Sequence, residues 1–351
     1  MPDPIFAPVF APVFDGHNDL LSRLWDAGDS AGRGFFDGRA GDISLDHCRA
    51  GGMAGGFFAI WVPGEAADAP DPRAMYRAFP PISVEKAHRV TLEQAAILIR
   101  MAAARPDAIR LCRTVAEIEA ARAAGAIAAI LHLEGCEGIG AGLDELQVLH
   151  AAGLRSLGPV WSRDNIFGHG VPFNFPASPD TAPGLTEAGK RLVAECDRLG
   201  VLVDLAHLNE AGFWDVAQIS TKPLVSTHSA AHALCPATRN LTDRQLDAMA
   251  ETGGLVGLNF GVAFLRADGM KNPDTAAEVM IRHLDHLMAH LGEDGVALGS
   301  DFDGTMIPGW MGSAAGLPGL VAGMQRAGYG AALIEKLCWG NWMGVLRRII
   351  G

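Results

Sequence analysis

The sequence predicts an α/β fold, one (β/α)8 TIM-type barrel spanning residues 1–351. Three observations carry that prediction. Eight short apolar segments recur along the chain, near 12–19, 54–62, 126–134, 154–161, 200–207, 223–228, 253–260 and 295–302. Helix-like stretches separate most of them, the alternation that builds a parallel sheet wrapped by helices. Five of the eight segments end in residues of metal-ligand or acid–base type, and barrel chemistry sits at the C-terminal strand ends.

Each element has a local reason. The first segment, Val13-Phe14-Asp15-Gly16-His17-Asn18-Asp19, is apolar and ends in His-x-Asp. Side chains alternate along a strand, so His17 and Asp19 share one face and can grip one divalent metal. The second segment runs into a long loop near 63–83, and residues 84–104 read as one helix. The third ends in Leu131-His132-Leu133-Glu134-Gly135, which places His132 one layer deeper than Glu134 on the same face, in a buried supporting or core role. The fourth, at 154–161, leads into a Gly/Pro-rich stretch at 162–185. Loops of that length at a catalytic rim shape substrate access. Thr186-Glu187 opens a helix that Gly200 stops. The fifth and sixth strands end at His207 and His228, and the eighth at Asp301. Helices at 242–251 and 274–291 fill the later intervals. The near-continuous apolar character of the strands suits a sheet covered on both faces.

Composition narrows the function. The chain is 49% hydrophobic and 19% charged with 43 glycines, which describes a globular protein rather than a disordered one. Its net charge of −12 carries no basic stripe, so nucleic acid is not an expected partner. No apolar run reaches the ~18 residues of a membrane span. The start, Met1-Pro2-Asp3-Pro4, lacks the basic region of a signal peptide. Six cysteines are widely spaced, with no Cys-x-x-Cys pair, and read as reduced and buried. A cytoplasmic location is the expectation.

The strand-end residues define the chemistry. Three histidines and at least two carboxylates exceed the three protein ligands usual for one catalytic zinc. Two metals ~3.5–4 Å apart can share a bridging hydroxide, polarise a carbonyl and stabilise an oxyanion. Glu134 is the natural bridging carboxylate, the acidic strand end near the middle of the barrel. The mixed nitrogen and oxygen set suits zinc, with manganese or cobalt possible. Asp301 would then be the proton shuttle.

Together these motifs resemble the renal (membrane) dipeptidase family of binuclear zinc peptidases, among the amidohydrolase-like barrels. The matching pieces are Asp15-Gly16-His17-Asn18-Asp19, Leu133-Glu134-Gly135, Asp204-Leu205-Ala206-His207, Ser226-Thr227-His228-Ser229, Arg239-Asn240, Gly299-Ser300-Asp301-Phe302-Asp303-Gly304 and the closing Trp339-Gly340-Asn341-Trp342. They run in family order over nearly the whole chain. The resemblance implies that His17 and Asp19 hold the first zinc, that Glu134 bridges, and that His207 and His228 hold the second. It implies that Arg239 takes the substrate's terminal carboxylate, which suits a guanidinium fork. It implies Asp301 at the scissile amide, a small dipeptide substrate, no membrane anchor in this bacterial-type relative, and a homodimer. One departure stands out. Where the family places a histidine against the substrate carbonyl, this chain has Trp161, in Val160-Trp161-Ser162. An indole donates one hydrogen bond and cannot become cationic. His169, on the following loop, is the substitute donor this sequence offers.

Another barrel amidohydrolase, acting on lactams or related small amides, is the alternative. Such enzymes more often open with His-x-His, whereas this chain opens with His-x-Asp. A non-catalytic binding protein would be expected to lack ligands, and none is missing. Outside the barrel, His283, His286 and His290 fall on one helical face beside Asp285, read as a solvated face or a subunit contact. His232 follows the sixth strand without a role that the sequence decides.

Overall fold

A computed structural model describes residues 11–38, 40–64, 79–181 and 183–351. In it the apolar segments pair as parallel strands. β1 (Val13–Asn18), β2 (Met53–Trp61), β4 (Ile127–Glu134), β5 (Leu154–Gly158) and β6 (Leu202–Val203) form one run, with β3 (Ile109–Leu111) attached to β4. β7 (Val225–Ser229), β8 (Leu255–Leu258) and β9 (Val296–Leu298) form a second. Every residue of β1 and β4 is buried, as expected for strands covered on both faces.

Two seams close the runs into an eight-stranded ring. At the first, Asn18 bridges Phe302, the Asp301 N–H donates to the His17 carbonyl at 3.0 Å, and the Asp19 N–H donates to the Phe302 carbonyl at 2.8 Å. At the second, Asp204 bridges Val225 and the Leu205 N–H donates to the Val225 carbonyl at 2.9 Å. A buried carboxylate completes each seam. Asp15 accepts from the Ser300 N–H at 2.7 Å and its hydroxyl at 2.9 Å. Asp204 accepts from the Thr227 N–H at 2.8 Å and its hydroxyl at 2.6 Å. Each seam lies next to a residue of the chemistry read from the sequence: His17 and Asp301 flank the first, His207 and His228 the second.

β3 is a ninth strand that the sequence reading does not contain. It pairs with Ile127–Ala129 at the start of β4, on the edge whose continuation at Leu131–Glu134 pairs with β5. Three residues with a central arginine, Ile-Arg-Leu, carry no readable alternation. Several expected strands are also shorter, β8 ending at Leu258 rather than 260 and β9 at Leu298 rather than 302. β5 stops at Gly158, before Pro159, and β6 at Val203 rather than near 207. There the Asp204 side chain accepts from the Ala206 N–H at 3.0 Å, which turns the chain and leaves His207 with φ 65°.

The expected helices form, three of them with a side-chain cap. Val84–Ala104 starts at Ser83, whose hydroxyl accepts from the Lys86 N–H. Glu187–Leu199 starts at Thr186 and stops at Gly200, with φ 68°. Asp243–Glu251 carries a full capping box between Thr242 and Gln245. The last, Ala277–Leu291, begins three residues later than expected because Ala276 is extended. The closing Trp-Gly-Asn-Trp motif is structural. The Trp342 indole donates to the Leu298 carbonyl at 3.0 Å and packs 5.2 Å from the Phe57 ring. Gly16 is glycine for that reason, since a Cβ there would lie 2.6 Å from the Trp342 ring and 2.3 Å from the Thr227 carbonyl oxygen.

Most of the loop expected at 63–83, residues 65–78, lies outside the described residues, as does the N-terminal stretch 1–10. The 162–185 stretch runs back over the barrel mouth: Gly170 bridges Leu208, and the Val171 N–H donates to the His207 carbonyl at 2.8 Å. No helix among the described residues is long and apolar enough to cross a membrane.

Candidate active site

The strand ends bring His17, Asp19, Glu134, His207, His228 and Asp301 together inside the barrel mouth. His17 Nε2 lies 3.4 Å from Asp19 Oδ2 and 3.7 Å from Glu134 Oε1. The same Glu134 oxygen lies 3.0 Å from His207 Nε2 and 3.4 Å from His228 Nε2. The two Nε2 atoms of His207 and His228 are 3.2 Å apart. Among the groups of metal-ligand geometry here, His17–Asp19–Glu134 and Glu134–His207–His228 share Glu134, and His17–His228–Asp301 brings Asp301 beside them.

The surrounding residues aim these rings. His207 Nδ1 is 2.7 Å from the Ser162 hydroxyl, and His228 Nδ1 is 2.8 Å from the Thr227 hydroxyl, itself held by Asp204. Fixing Nδ1 by an outer hydrogen bond turns Nε2 toward the centre, the usual support of a metal-binding imidazole. His17 is different: it is fully buried, and neither ring nitrogen has a hydrogen-bond partner among the described residues. A buried polar nitrogen left unpaired is costly unless something else satisfies it. Its electrostatics say what that is. Burial disfavours charge on His17, yet Glu134, Asp19 and Asp301 outweigh it and push the imidazole up to about 10. The field at this point calls for a cation. Burial pushes the other two histidines, His207 and His228, well below the usual imidazole range, with Arg239 and His17 adding to the shift, so both stay neutral and able to ligate. Burial drives Glu134 well above the usual carboxylate range, opposed by His17 and reinforced by Asp19 and Asp301. The donor set therefore fits divalent metal: neutral imidazoles, converging carboxylates and an unsatisfied buried nitrogen.

Asp301 sits in a left-handed backbone conformation, φ 61°, as does His207 at 65°. Such strain in non-glycine residues concentrates at functional sites. The Asn259 amide donates to Asp301 Oδ2 at 2.9 Å, and burial pushes the Asp301 carboxyl up to about 6 despite the pull of His17. Gly304 is glycine because a Cβ there would lie 2.1 Å from Asp19 Oδ2.

Arg239 is buried rather than a surface loop residue. Its guanidinium donates to the Ser229 hydroxyl at 2.9 Å and the His228 carbonyl at 2.8 Å, while its Nε–H has no hydrogen-bond partner among the described residues. Burial lowers its pKa, and Asp301, Glu134 and Asp204 oppose that. Trp161 stands over the centre, its ring 5.7 Å from His207, in an aromatic wall with Trp61 (5.3 Å), Phe79 (4.6 Å) and Phe173 (5.7 Å). The expected substitute donor, His169, turns its ring to the Asp164 carboxylate at 2.9 Å. The structure thus groups Trp161 with the ligand-type residues and engages His169 Nδ1 with Asp164.

Sequence reasoning missed Ser162, Asn259 and the buried Glu137–Arg163 pair, 3.0 Å apart behind Trp161. Nothing in their local patterns marks them, because their role appears only when distant strands meet. His132 takes the expected deeper place, with Nδ1 2.9 Å from the Ser156 hydroxyl. His283 corrects an expectation. It is buried, not solvated: Nδ1 accepts from the Ala231 N–H at 3.1 Å and Nε2 donates to the Leu265 carbonyl at 2.9 Å.

Comparison with known proteins places the chain. Residues 9–350 match the membrane dipeptidase family, peptidase family M19. A crystal structure of a metallo peptidase from Rhodobacter sphaeroides, liganded with a phosphinate mimic of the dipeptide L-Ala-D-Ala, is 50% identical. The match covers 97% of this chain and 99% of that one, with a TM-score of 0.93. A dipeptidase described as a metallo peptidase of family M19 is 51% identical, with the same coverage and a TM-score of 0.92. A Klebsiella pneumoniae protein encoded in the pqqA 5′ region is 48% identical over 257 residues, 73% of this chain and 95% of that protein. The chain belongs to the membrane dipeptidase family, peptidase family M19, and is a metallo-dipeptidase.

Proposed function

We propose that the chain hydrolyses the amide bond of free dipeptides using two zinc ions. His17 and Asp19 would hold one, His207 and His228 the other, and Glu134 both. The observation that carries this reading is the sharing of Glu134 by two ligand groups. Manganese or cobalt would also suit the donor set. When bound, the metals supply Lewis acidity and a hydroxide nucleophile at neutral pH.

The chain's own residues supply the rest. Asp301, held by Asn259, takes a proton from the attacking water and passes it to the leaving amine. Arg239 offers its unpaired Nε–H to the substrate's terminal carboxylate, which supports a free C-terminus as a requirement. Trp161 and Phe173 bound the site with apolar rings and exclude water from the scissile bond. The phosphinate mimic bound by the Rhodobacter sphaeroides relative has a tetrahedral centre like that of amide hydrolysis, which supports dipeptides of the L-Ala-D-Ala kind among the substrates. The six cysteines are all free and buried, which supports a cytoplasmic setting. A homodimer is proposed on the family resemblance alone.

The test compares a free dipeptide with its C-terminal amide on zinc-loaded protein. Hydrolysis of the free dipeptide well above the amide is expected. Equal rates would overturn the dipeptidase reading and favour a broader amidohydrolase acting on lactams or small amides.

A further inference from the structure

A second constellation of ligand-type residues lies outside the barrel, between the Asp243–Glu251 and Ala277–Leu291 helices. His286 and His290 are one turn apart on the second helix, and Asp243 and Asp247 one turn apart on the first, so each pair shares a face. Asp243 Oδ1 is 2.7 Å from His286 Nε2 and 3.7 Å from His290 Nε2. The Asp247 carboxylate is 2.7 Å from His290 Nδ1.

That last contact decides how the cluster reads. A carboxylate at Nδ1 accepts its proton and fixes the His290 tautomer with the lone pair on Nε2. The lone pair then faces Asp243 and His286. Two independent ion pairs would not need His290 Nε2 near the oxygen that already serves His286. The three ligand atoms lie within 4.8 Å of one another. Tetrahedral zinc, with bonds of about 2.0–2.1 Å, places its ligand atoms about 3.3 Å apart. The present separations, 2.7 and 3.7 Å, straddle that value. The histidine side chains are 22% and 24% exposed, and Asp243 45%, which leaves solvent access for a water as fourth ligand.

We propose that Asp243, His286 and His290 form a third divalent-metal site, of zinc type, with Asp247 orienting His290. The site clamps the two helices from outside. It takes no part in dipeptide hydrolysis, because its ligands lie on two helices outside the barrel and are partly exposed to solvent, away from the buried residues of the mouth. The proposal does not depend on how many metals the barrel holds.

The test uses tag-free protein already loaded at the barrel. Zinc ion is titrated into the unmodified chain and into His286→Ala/His290→Ala, with bound metal counted and the melting temperature followed. The unmodified chain should take up one more equivalent than the double variant, and added zinc should raise its melting temperature more, because a ligand of the folded state stabilises it. Dipeptide turnover should be the same in both. The single variant His290→Ala should also lose the extra equivalent, which guards against a double variant that folds poorly. Equal zinc uptake and equal thermal shifts in the unmodified chain and the variants would overturn the site.

Discussion

The barrel mouth and the outer face of the two late helices hold the same kinds of side chain in opposite settings. At the mouth, His17, His207 and His228 are at most 5% exposed and meet three carboxylates. Outside, His286 and His290 are about a quarter exposed and meet two. The difference teaches what burial adds. An exposed imidazole can exchange a metal for water at little cost. A buried one whose ring nitrogens make no hydrogen bond among the described residues, such as His17, has no water to fall back on. The mouth should hold metal tightly and the outer face weakly.

The sharpest way to break that contrast is Glu134→Gln. Partners outside the ligand shell already affect metal affinity 10–100-fold. A shared ligand should matter more, so loss of both metals and of dipeptide hydrolysis is expected in a metal assay run beside a rate measurement. The outer cluster should be unaffected. Next comes Asp301→Asn, which removes a proton carrier but leaves the ligand groups that share Glu134. Both metals should stay, and kcat should fall about 10²–10⁴-fold. A near-normal kcat would give Asp301 another role.

Arg239→Met separates substrate anchoring from metal binding. A charged hydrogen bond is worth ~1.5–3 kcal/mol, so kcat/KM on free dipeptides should fall about 10–150-fold. The rate on C-terminal amides should barely change. Equal losses on both substrates would make Arg239 structural, an outcome its bonds to Ser229 and the His228 carbonyl make physically reasonable.

His283→Gln should leave turnover nearly intact and alter stability, because it joins the inner and outer regions. Burial pushes the His283 imidazole down to about 4, against about 6.5 when unfolded. The unfolded chain therefore takes the proton first. The stabilising share is full above about pH 6.5 and is lost as pH falls toward 4, at most about 3 kcal/mol. Urea unfolding at several pH values should show the unmodified chain ahead of the variant at pH 7.5 and the gap narrowing on acidification. A gap constant with pH would contradict the neutral buried state.

The barrel and the residues of its mouth were legible in the sequence because both are periodic. His17, Glu134, His207, His228 and Asp301 each close an apolar run, and a strand end has only one rim to reach. β3 was not legible, since Ile109–Leu111 is too short to show a pattern. The truncation of β6 was hidden because Asp204 bends the chain through its own side chain. His283 was misread because helical spacing gives the face of a residue but not what covers it; here Ala231 and Leu265 do. Ser162 and Asn259 act through distant partners, His207 and Asp301, which no local pattern shows.

The most direct measurement is the zinc content per chain, taken in the His286→Ala/His290→Ala background so that the outer face adds nothing. After reconstitution with zinc and removal of excess, two equivalents are expected, held together by Glu134. One equivalent or fewer would contradict the shared centre.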